Sequence, residues 1–298
     1  MKISEIPDDF SATLIRDGEF LSLGKTRHTL ERMIVFLESA QYISEVQANP
    51  HISCVITTPG LIDNLPDHLG IMVSDSPRNT FYDLHRFLDS NTDFYWEHFE
   101  TEIDPTAIVH PDAFISTRDV RIGPGSFIGP KAVILDRTII GEDVRILPGV
   151  VLSTEGYEVR RCGNRLLSVP HAGAVRLSDG VEIFTNSAVA RPIFNDYTTI
   201  CCDTKIDSFV YIAHNVKIGE RCRIAGLASV GGNVIIGDDV WVGPRSIISN
   251  GLRIGDEAKI TIGSVVVRDV PRGGHVTGYF GVDHQRFLMN WAKTVGPR

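Results

Sequence analysis

A period of six residues runs through the second half of this chain, and few folds can accommodate it. Stepping by six along the sequence places Ile or Val at twelve consecutive positions. These positions are Ile200, Ile206, Ile212, Ile218, Ile224, Val230, Ile236, Val242, Ile248, Ile254, Ile260 and Val266. The residue two places before each is mostly small or β-branched, and an earlier run from Ile122 to Leu152 keeps the same period. A short fixed period indicates a solenoid whose repeats stack on one another.

The repeat predicts very short parallel strands. Residues two apart on a strand share a face, so the aliphatic residue and its small partner both point into the core. Glycine follows the aliphatic residue in many hexads, as expected where a turn begins: Gly219, Gly231, Gly237, Gly243 and Gly255. We therefore predict a mainly β protein whose hexapeptide solenoid extends from about residue 104 to residue 270, with coils stacked about 4.8 Å apart.

Two segments interrupt the period, and both ends of the chain lie outside it. Residues 153–176 leave the period entirely, which predicts an inserted loop, and a second excursion falls between residues 189 and 200. Residues 1–103 alternate short apolar runs with helical patterns, which predicts a small α/β domain. Residues 271–298 are too few for a domain, so we expect a C-terminal cap with one short helix.

The first interruption is rich in arginine. Four of these residues lie within it, the fourth at its last position, and a fifth follows beyond its end: Arg160, Arg161, Arg165, Arg176 and Arg191. Long loops on rigid scaffolds are often functional. Two interpretations therefore stay open, an ordinary solvated surface and a cluster that contacts phosphate.

Composition excludes several classes of protein. The formal charge of −8 and the lack of a basic tail argue against a general nucleic-acid binder. No apolar run approaches the length of about 18 residues that a membrane span requires, and the acidic N-terminus lacks the apolar segment of a secretory signal. The five cysteines include no zinc-type CxxC pair, so we expect reduced thiols in a cytoplasmic protein.

His214 is the histidine that the repeat places most informatively. It lies two positions after the inward-pointing Ile212, in a column of turn residues outside the core. A lone histidine is more often structural than catalytic, and that interpretation stays open. Asp207 also follows an inward Ile, and a carboxylate near an imidazole can fix its tautomer and raise its basicity. A base with such a partner suits acyl transfer, so both are candidate catalytic residues.

Several segments resemble one family. KIDSFVYIAHNVKIG is similar to the catalytic segment of the UDP-3-O-acylglucosamine N-acyltransferases and of relatives that acylate nucleotide-linked amino sugars. IVFLESAQYISEV resembles their uridine-binding segment, STEGYE and VPHAGAVRLSDGVEI resemble the loop before their later coils, and GSVVVRDVPRGG resembles the end of many hexapeptide acyltransferases. The resemblance covers nearly the whole chain. It implies a left-handed parallel β-helix, with three hexads in each triangular coil, that assembles as a homotrimer.

The resemblance also implies roles for individual residues. His214 would be the general base, Asp207 its carboxylate partner, and the amide of Gly232 the oxyanion donor. Gly232 lies eighteen residues beyond His214, one coil up, and its missing side chain leaves space beside the imidazole. The pyrimidine would stack on Phe36 and Tyr42. Further contacts are implied for the substrate at Ser39, Asn215 and Arg191, and for the acyl donor at Asn250, Gly251 and Arg268.

This chain also departs from the lipid A enzymes. Ser249-Asn250-Gly251 stands where they carry Asn-Gly-His, and their long basic C-terminal helix is absent. With a charge of −8, an acidic acyl carrier protein is a less obvious partner. The sequence therefore favours an N-acyltransferase that uses acyl-CoA on a UDP- or dTDP-linked amino sugar, for a cell-surface polysaccharide such as the O-antigen of lipopolysaccharide. The alternative is the lipid A enzyme itself, with acyl carrier protein as donor.

Two rivals come from other classes. Some hexapeptide solenoids are zinc hydratases, which need three converging histidines, whereas only His214 falls within the regular repeats here. We therefore predict no metal and no tightly bound cofactor. A non-catalytic solenoid that binds a nucleotide sugar is the second rival. Because a solenoid corner is convex, we also predict that the active sites lie at the interfaces of the trimer.

Overall fold

The structure, a computed structural model, describes residues 1–7, 10–162, 164–278, 281 and 283–295. Within that part of the chain the architecture is the predicted one: a left-handed parallel β-helix preceded by a small α/β domain and followed by a short helix. Residues 279–280, 282 and 296–298 of the predicted cap lie outside the described residues. No helix in the described ranges is long and apolar enough to cross a membrane.

The N-terminal domain is one sheet with helices packed against it. Its elements are β1 (Ala12–Arg16), β2 (Ser22–Leu23), β3 (Met33–Leu37), α1 (Ile43–Ala48), β4 (Ile52–Thr57), β5 (Gly70–Ser74) and α2 (Pro77–Asn91). Among the described residues the strand order is β1-β5-β4-β3-β2, and only β1 runs antiparallel to its neighbour. The central strands β3 and β4 consist mostly of apolar residues because both faces of this sheet are covered.

The solenoid consists of three parallel sheets, one on each side of a triangular coil. The described strands of the first sheet are β7 (Ile108–Val109), β10 (Phe127–Ile128), β13 (Arg145–Ile146), β18 (Glu182–Ile183), β21 (Lys205–Ile206), β24 (Arg223–Ile224), β27 (Trp241–Val242), β30 (Lys259–Ile260) and β32 (His275–Val276). The second sheet contains β8 (Phe114–Ile115), β11 (Val133–Ile134), β14 (Val151–Thr154), β19 (Ala188–Ala190), β22 (Tyr211–Ile212), β25 (Ser229–Val230), β28 (Ile247–Ile248) and β31 (Val265–Val266). The third sheet contains β6 (Glu102–Ile103), β9 (Val120–Ile122), β12 (Thr138–Ile140), β17 (Ala174–Leu177), β20 (Tyr197–Ile200), β23 (Lys217–Ile218), β26 (Ile235–Ile236) and β29 (Arg253–Ile254).

The periodic aliphatic residues form the solenoid core. All twelve are between 0% and 3% exposed, and of the residues two places before them only Leu252 is not fully buried. Polar members of that second column satisfy their hydroxyl groups locally. Thr204 donates to the carbonyl of Gly219 and Ser246 to that of Thr261, so each buried hydroxyl bonds to a turn of its own chain.

The turns use glycine for a different reason than the sequence indicated. The left-handed residue of each turn lies three positions after the inward aliphatic residue, and several of these residues are not glycine, for example Phe209 and Asn215 at φ 60°. The glycines that directly follow the aliphatic residue are required by close approach between coils. A Cβ atom at Gly237 would lie 2.1 Å from Asp256 Oδ1, and one at Gly243 would lie 2.7 Å from the Ile262 nitrogen.

The two interruptions of the period pack against the N-terminal domain. The first contains the hairpin β15 (Val159–Cys162) and β16 (Arg165–Ser168). Arg160 of this hairpin reaches α2, where it donates to Asn79 and Asp83. The second contributes Phe194, which is 1% exposed and lies within the N-terminal core. Both excursions therefore fix the small domain against one side of the solenoid. The last described helix, α3 (His284–Val295), presents mostly exposed side chains.

Candidate functional site

His214 lies at the corner between the second and third sheets, directly after β22. Its Nδ1 atom lies 3.1 Å from Asn215 Oδ1. The side-chain Nδ2 atom of Asn215 donates to Asp196 Oδ2, and Lys217 Nζ lies 2.7 Å from the other oxygen of that carboxylate. Because the Asn215 oxygen can only accept, this network assigns the proton of His214 to Nδ1. The Nε2 atom is left with its lone pair, as a general base requires.

Gly232 stands one coil above His214, as the eighteen-residue spacing predicts. A Cβ atom at this position would lie 2.6 Å from His214 Nε2, so only glycine leaves room for the imidazole. The Gly232 N–H, however, donates to Asn250 Oδ1 at 3.0 Å. That bond belongs to a ladder of side-chain caps between coils, in which Asp256 caps the amide of Asp238 in the same way. The oxyanion role of this amide stays a prediction and requires Asn250 to release it.

The structure does not bring Asp207 to His214 within one chain. Asp207 lies at the corner between the first and second sheets, where its oxygens accept the amides of Ser208 and Gly226. It also lines a separate cavity of about 210 Å³ with Arg223 and Trp241. The carboxylate that serves the imidazole of His214, through Asn215, is Asp196. It lies in the second excursion, where the hexad pattern gives no signal.

An aromatic pocket opens in the N-terminal domain. Phe36, on β3, and Tyr42 line a cavity of about 320 Å³ together with the cationic side chains of Lys25, Arg27 and Arg78. The Arg78 guanidinium lies 5.4 Å from the centre of the Phe36 ring. Two of the residues assigned to the pyrimidine therefore do meet in one pocket.

Ser39 lies close to this pocket in sequence but is not among the side chains that line it. It precedes the 3₁₀ turn Ala40–Tyr42, and its hydroxyl makes no capping hydrogen bond there. The turn nevertheless matters, because Tyr42 at its end is 43% exposed and faces the cavity. The carbonyl of Ser39 accepts from the Tyr42 N–H in this turn, and the assignment of Ser39 to the substrate stays a prediction.

A groove connects the aromatic pocket to the corner that carries His214. Arg27 and His28 line the aromatic pocket and also a second cavity of about 270 Å³. The second cavity continues along Asp196, Asn215 and Lys217, and it reaches Asn233, Ile235 and Arg253. Two neighbouring cavities that share Arg27 and His28 thus lead from the two aromatic rings to Asn215, whose side chain bonds to the His214 imidazole.

The first excursion covers the other side of His214. His171 is 1% exposed, and its ring lies edge-on to that of His214, with 5.8 Å between the ring centres. Gly156 packs over both rings: a Cβ atom there would lie 2.9 Å from His171 Nε2 and 3.3 Å from His214 Cδ2. His171 lies outside the repeats, where the hexad pattern gives no signal for a functional residue.

The arginines do not form a single phosphate site. Arg160 is paired with Asp83, and Arg176 lies over the Tyr197 ring at 4.1 Å. Arg191 is paired with Asp136 and does not line either cavity of the groove. The cations that do line the groove come from the N-terminal domain and from the third sheet: Lys25, Arg27, Arg78, Lys217 and Arg253.

The residues assigned to the acyl donor share one column above His214. Asn250 lies two coils up and Arg268 three, because β22, β25, β28 and β31 pair in register. Gly251 adopts the left-handed turn conformation at φ 73°, and Arg268 is exposed. The described residues contain no group of three or more His, Cys, Asp or Glu side chains that could hold a metal ion.

Comparison with known proteins identifies relatives of the repeats. The bacterial transferase hexapeptide family (six repeats) matches residues 119–154 and 197–232, and the hexapeptide repeat of succinyl-transferase matches residues 233–268. A UDP-3-O-acylglucosamine N-acyltransferase from Caulobacter sp. (strain K31) is 33% identical over 159 residues, which are 53% of this chain and 46% of that protein. The protein of the same name from Bordetella pertussis is 26% identical over 225 residues, 64% of this chain and 61% of its own length.

A solved structure, the UDP-N-acetylglucosamine acyltransferase from Francisella novicida, is 19% identical over 63% of this chain and 73% of its own, with a TM-score of 0.49. The chain spans about half the length of the Caulobacter relative. Both curated relatives bear the name of the lipid A enzyme, so they support that alternative better than the acyl-CoA enzyme that the charge favoured.

One buried histidine, His171, and one partly buried histidine, His28, make the fold sensitive to acid. Burial lowers the pKa of His28 and of His171 from an ordinary 6.5 to about 4. Between these values the unfolded chain binds protons that the folded protein does not, so stability should fall as pH falls from about 6.5 to about 4. The loss can reach about 3 kcal/mol for each ring.

Replacing His171 should remove its share of this loss. Urea unfolding midpoints measured between about pH 7 and pH 4.5 should fall less steeply for His171→Gln than for the wild type. His68→Gln, at an exposed histidine, is the matched control and should follow the wild-type curve. Parallel curves for the wild type and His171→Gln would contradict the neutral, buried state of His171.

Proposed function

We propose that this chain, which contains hexapeptide transferase repeats and is similar to UDP-3-O-acylglucosamine N-acyltransferases, moves an acyl group from a thioester to the amine of a nucleotide-linked amino sugar. One observation carries the proposal. The groove joins an aromatic, cationic pocket to Asn215, which holds the His214 imidazole. A nucleotide in the pocket would extend its sugar along the groove toward that imidazole.

The chemistry requires one base and one oxyanion donor. His214 Nε2 takes a proton from the sugar amine as the nitrogen attacks the thioester carbonyl carbon. The C–S bond then breaks, and the imidazolium returns the proton to the departing thiolate. Asn215 and Asp196 hold the Nδ1 proton and stabilise the imidazolium. General-base catalysis is worth about 10²–10⁴-fold, and one oxyanion donor, such as the Gly232 amide, about 10²–10³-fold.

The pocket suits a pyrimidine nucleotide. Phe36 and Tyr42 supply ring faces for stacking, and three cations beside them can pair with a diphosphate. All three cations already have carboxylate partners: Arg27 pairs with Glu45, Lys25 with Glu158 and Arg78 with Glu38. A bound diphosphate would therefore compete with, or share, these surface ion pairs, which are individually weak.

The acyl acceptor and donor have two candidate identities. The names of the relatives favour UDP-3-O-acylglucosamine as acceptor, which corresponds to the lipid A reaction with acyl carrier protein. The charge of −8 favours acyl-CoA and an amino sugar of another glycan such as O-antigen. A thiol-release assay that combines UDP- and dTDP-amino sugars with acetyl-CoA, 3-hydroxybutyryl-CoA and long-chain acyl carrier protein separates the two. Free thiols at Cys54, Cys201, Cys202 and Cys222 are consistent with a reaction in the cytoplasm.

We further propose that the enzyme is a homotrimer with its sites between subunits. Outward residues of the second sheet are apolar and exposed, among them Phe114 at 56%, Ile247 at 50% and Val265 at 63%. Asp207 and His214 flank this face at its two opposite edges. If three such faces meet around an axis, the Asp207 edge of one chain approaches the His214 edge of the next. Asp207 could then act as the carboxylate partner of an imidazole in another subunit.

His214→Ala should lose most turnover in the thiol-release assay. Nucleotide affinity and melting temperature should stay nearly unchanged, because His214 lies on a turn outside the core. Asp207→Asn should be milder, since the imidazole stays in place. Activity of His214→Ala within about threefold of the wild type would eliminate the general-base role, and a wild type inactive with every pair of substrates would favour the non-catalytic solenoid.

Phe36→Ala and Tyr42→Ala should each weaken nucleotide-sugar binding by about 1–3 kcal/mol, the range expected for stacking on a single base. Calorimetry with UDP and dTDP measures the change. Trp291→Ala, at an exposed aromatic residue of α3, is the matched control and should bind normally. Unchanged affinity in Phe36→Ala and Tyr42→Ala, with the fold intact, would assign both rings to packing alone.

Mixed trimers test the shared site. His214→Ala chains and Asp207→Ala chains should each be impaired alone. Unfolded and refolded together, they should regain activity, because some interfaces then combine an intact His214 with an intact Asp207 from the neighbouring chain. Analytical ultracentrifugation checks that both variants form trimers. A fully active wild-type monomer would rule out this assembly.

A further inference from the structure

The proposed mechanism leaves one buried polar group beside His214 without a function. His171 is 1% exposed, and its Nδ1 atom lies 3.1 Å from the carbonyl oxygen of Val169. Because a carbonyl can only accept, the Nδ1 atom carries the proton and Nε2 carries the lone pair. That Nε2 atom is buried and has no hydrogen-bond partner among the described residues. A buried acceptor without a donor destabilises the fold, which marks the position as functional or filled by a ligand.

The unpartnered atom belongs to a ring that lies beside the His214 ring. The two rings lie edge-on, with 5.8 Å between their centres. Gly156 covers the His171 Nε2 atom and the neighbouring edge of His214, and Gly232 covers the His214 Nε2 atom. A side chain at either glycine would contact these rings. Two imidazoles, each protonated on Nδ1 and carrying a lone pair on Nε2, therefore lie side by side, with Gly156 packed against both rings.

The first excursion lies over both rings. Gly156 and Tyr157 make no backbone hydrogen bond within the described part of the chain, and Tyr157 is 86% exposed. The segment is held at its far end by Glu158, which pairs with Lys25 of the nucleotide pocket. A short, weakly bonded segment can lift from the two rings without disturbing the coils.

We propose that His171 is a second acceptor for the substrate amine and that it directs acyl transfer to nitrogen rather than oxygen. This inference rests on the proposed function. An attacking amine carries two hydrogens: one goes to His214 Nε2, and the other donates to His171 Nε2. The first proton leaves with the base and is passed to the thiolate as the C–S bond breaks. The second remains on nitrogen and becomes the N–H of the amide product. A hydroxyl group has one hydrogen and would leave His171 unpaired.

Two substitutions at His171 separate this role from packing. His171→Phe keeps a ring of similar volume and removes the acceptor, whereas His171→Gln keeps an acceptor. For the amino-sugar nucleotide, we expect kcat/KM to fall about tenfold to a hundredfold in His171→Phe and to stay within about fivefold of the wild type in His171→Gln. The inhibition constant of the matched hydroxyl-sugar nucleotide should stay unchanged in both. Equal weakening of both compounds in His171→Phe would assign Nε2 to a buried water or to packing and overturn the proposal.

A spectroscopic experiment on the wild type keeps the test independent of turnover. In protein labelled with ¹⁵N-histidine, the Nε2 resonance of His171 should shift when the amino-sugar nucleotide binds and stay in place when the hydroxyl analogue binds. Calorimetry must first show that both compounds bind, which is expected because they share the same nucleotide. No shift with either compound would overturn the inference even in an active enzyme. A wild type that shows the selective shift without turnover would instead remove the proposed reaction and leave His171 as an amine-binding residue.

Discussion

Stacking of the coils in register is the interaction on which the rest of this structure depends. Tyr211 pairs with Ser229, and Ser229 with Ile247, so each step of eighteen residues moves a side chain up by one coil on the same face. The buried aliphatic ladder enforces this register, because a shift by one residue would turn every Ile and Val toward solvent. A rigid ladder of this kind lets residues far apart in sequence, such as His214 and Gly232, meet with the precision that catalysis needs.

The site is built where that regularity is broken. Val151 pairs with Ala188, and Ala188 with Tyr211, so the chain between successive coils is longer than eighteen residues at both places. The additional residues leave the solenoid, contribute to the core of the N-terminal domain and return. In doing so they bring Asp196 to the network of His214, and His171 and Gly156 to its exposed side. The scaffold alone offers a convex corner, and the excursions turn that corner into a walled site.

Charge and polarity differ between the groove and the outward face of the second sheet. The groove from Phe36 to Asn215 is lined by cations, while the outward face of the second sheet is apolar and flanked by Asp207 and His214. Their lowered pKa values keep the partly buried His28 and the buried His171 neutral near pH 7, so neither would repel the imidazolium that the proposed mechanism forms at His214. The same burial leaves a lone pair on His171 beside the place where the proposed amine arrives.

The sequence by itself determined the solenoid, the inward columns and the stacking of Gly232 over His214, because within a strict repeat distance along the chain translates directly into position in space. It also indicated Phe36 and Tyr42, through the resemblance of their segment. Only the tertiary structure decided the rest: that Asn250 occupies the amide of Gly232, that Asp207 lies at a different corner, and that Asp196 and His171 surround the imidazole. The reason is physical. These contacts depend on how two irregular segments pack against the N-terminal domain. Outside the period, the spacing of residues in the sequence does not predict the position of a side chain in the fold.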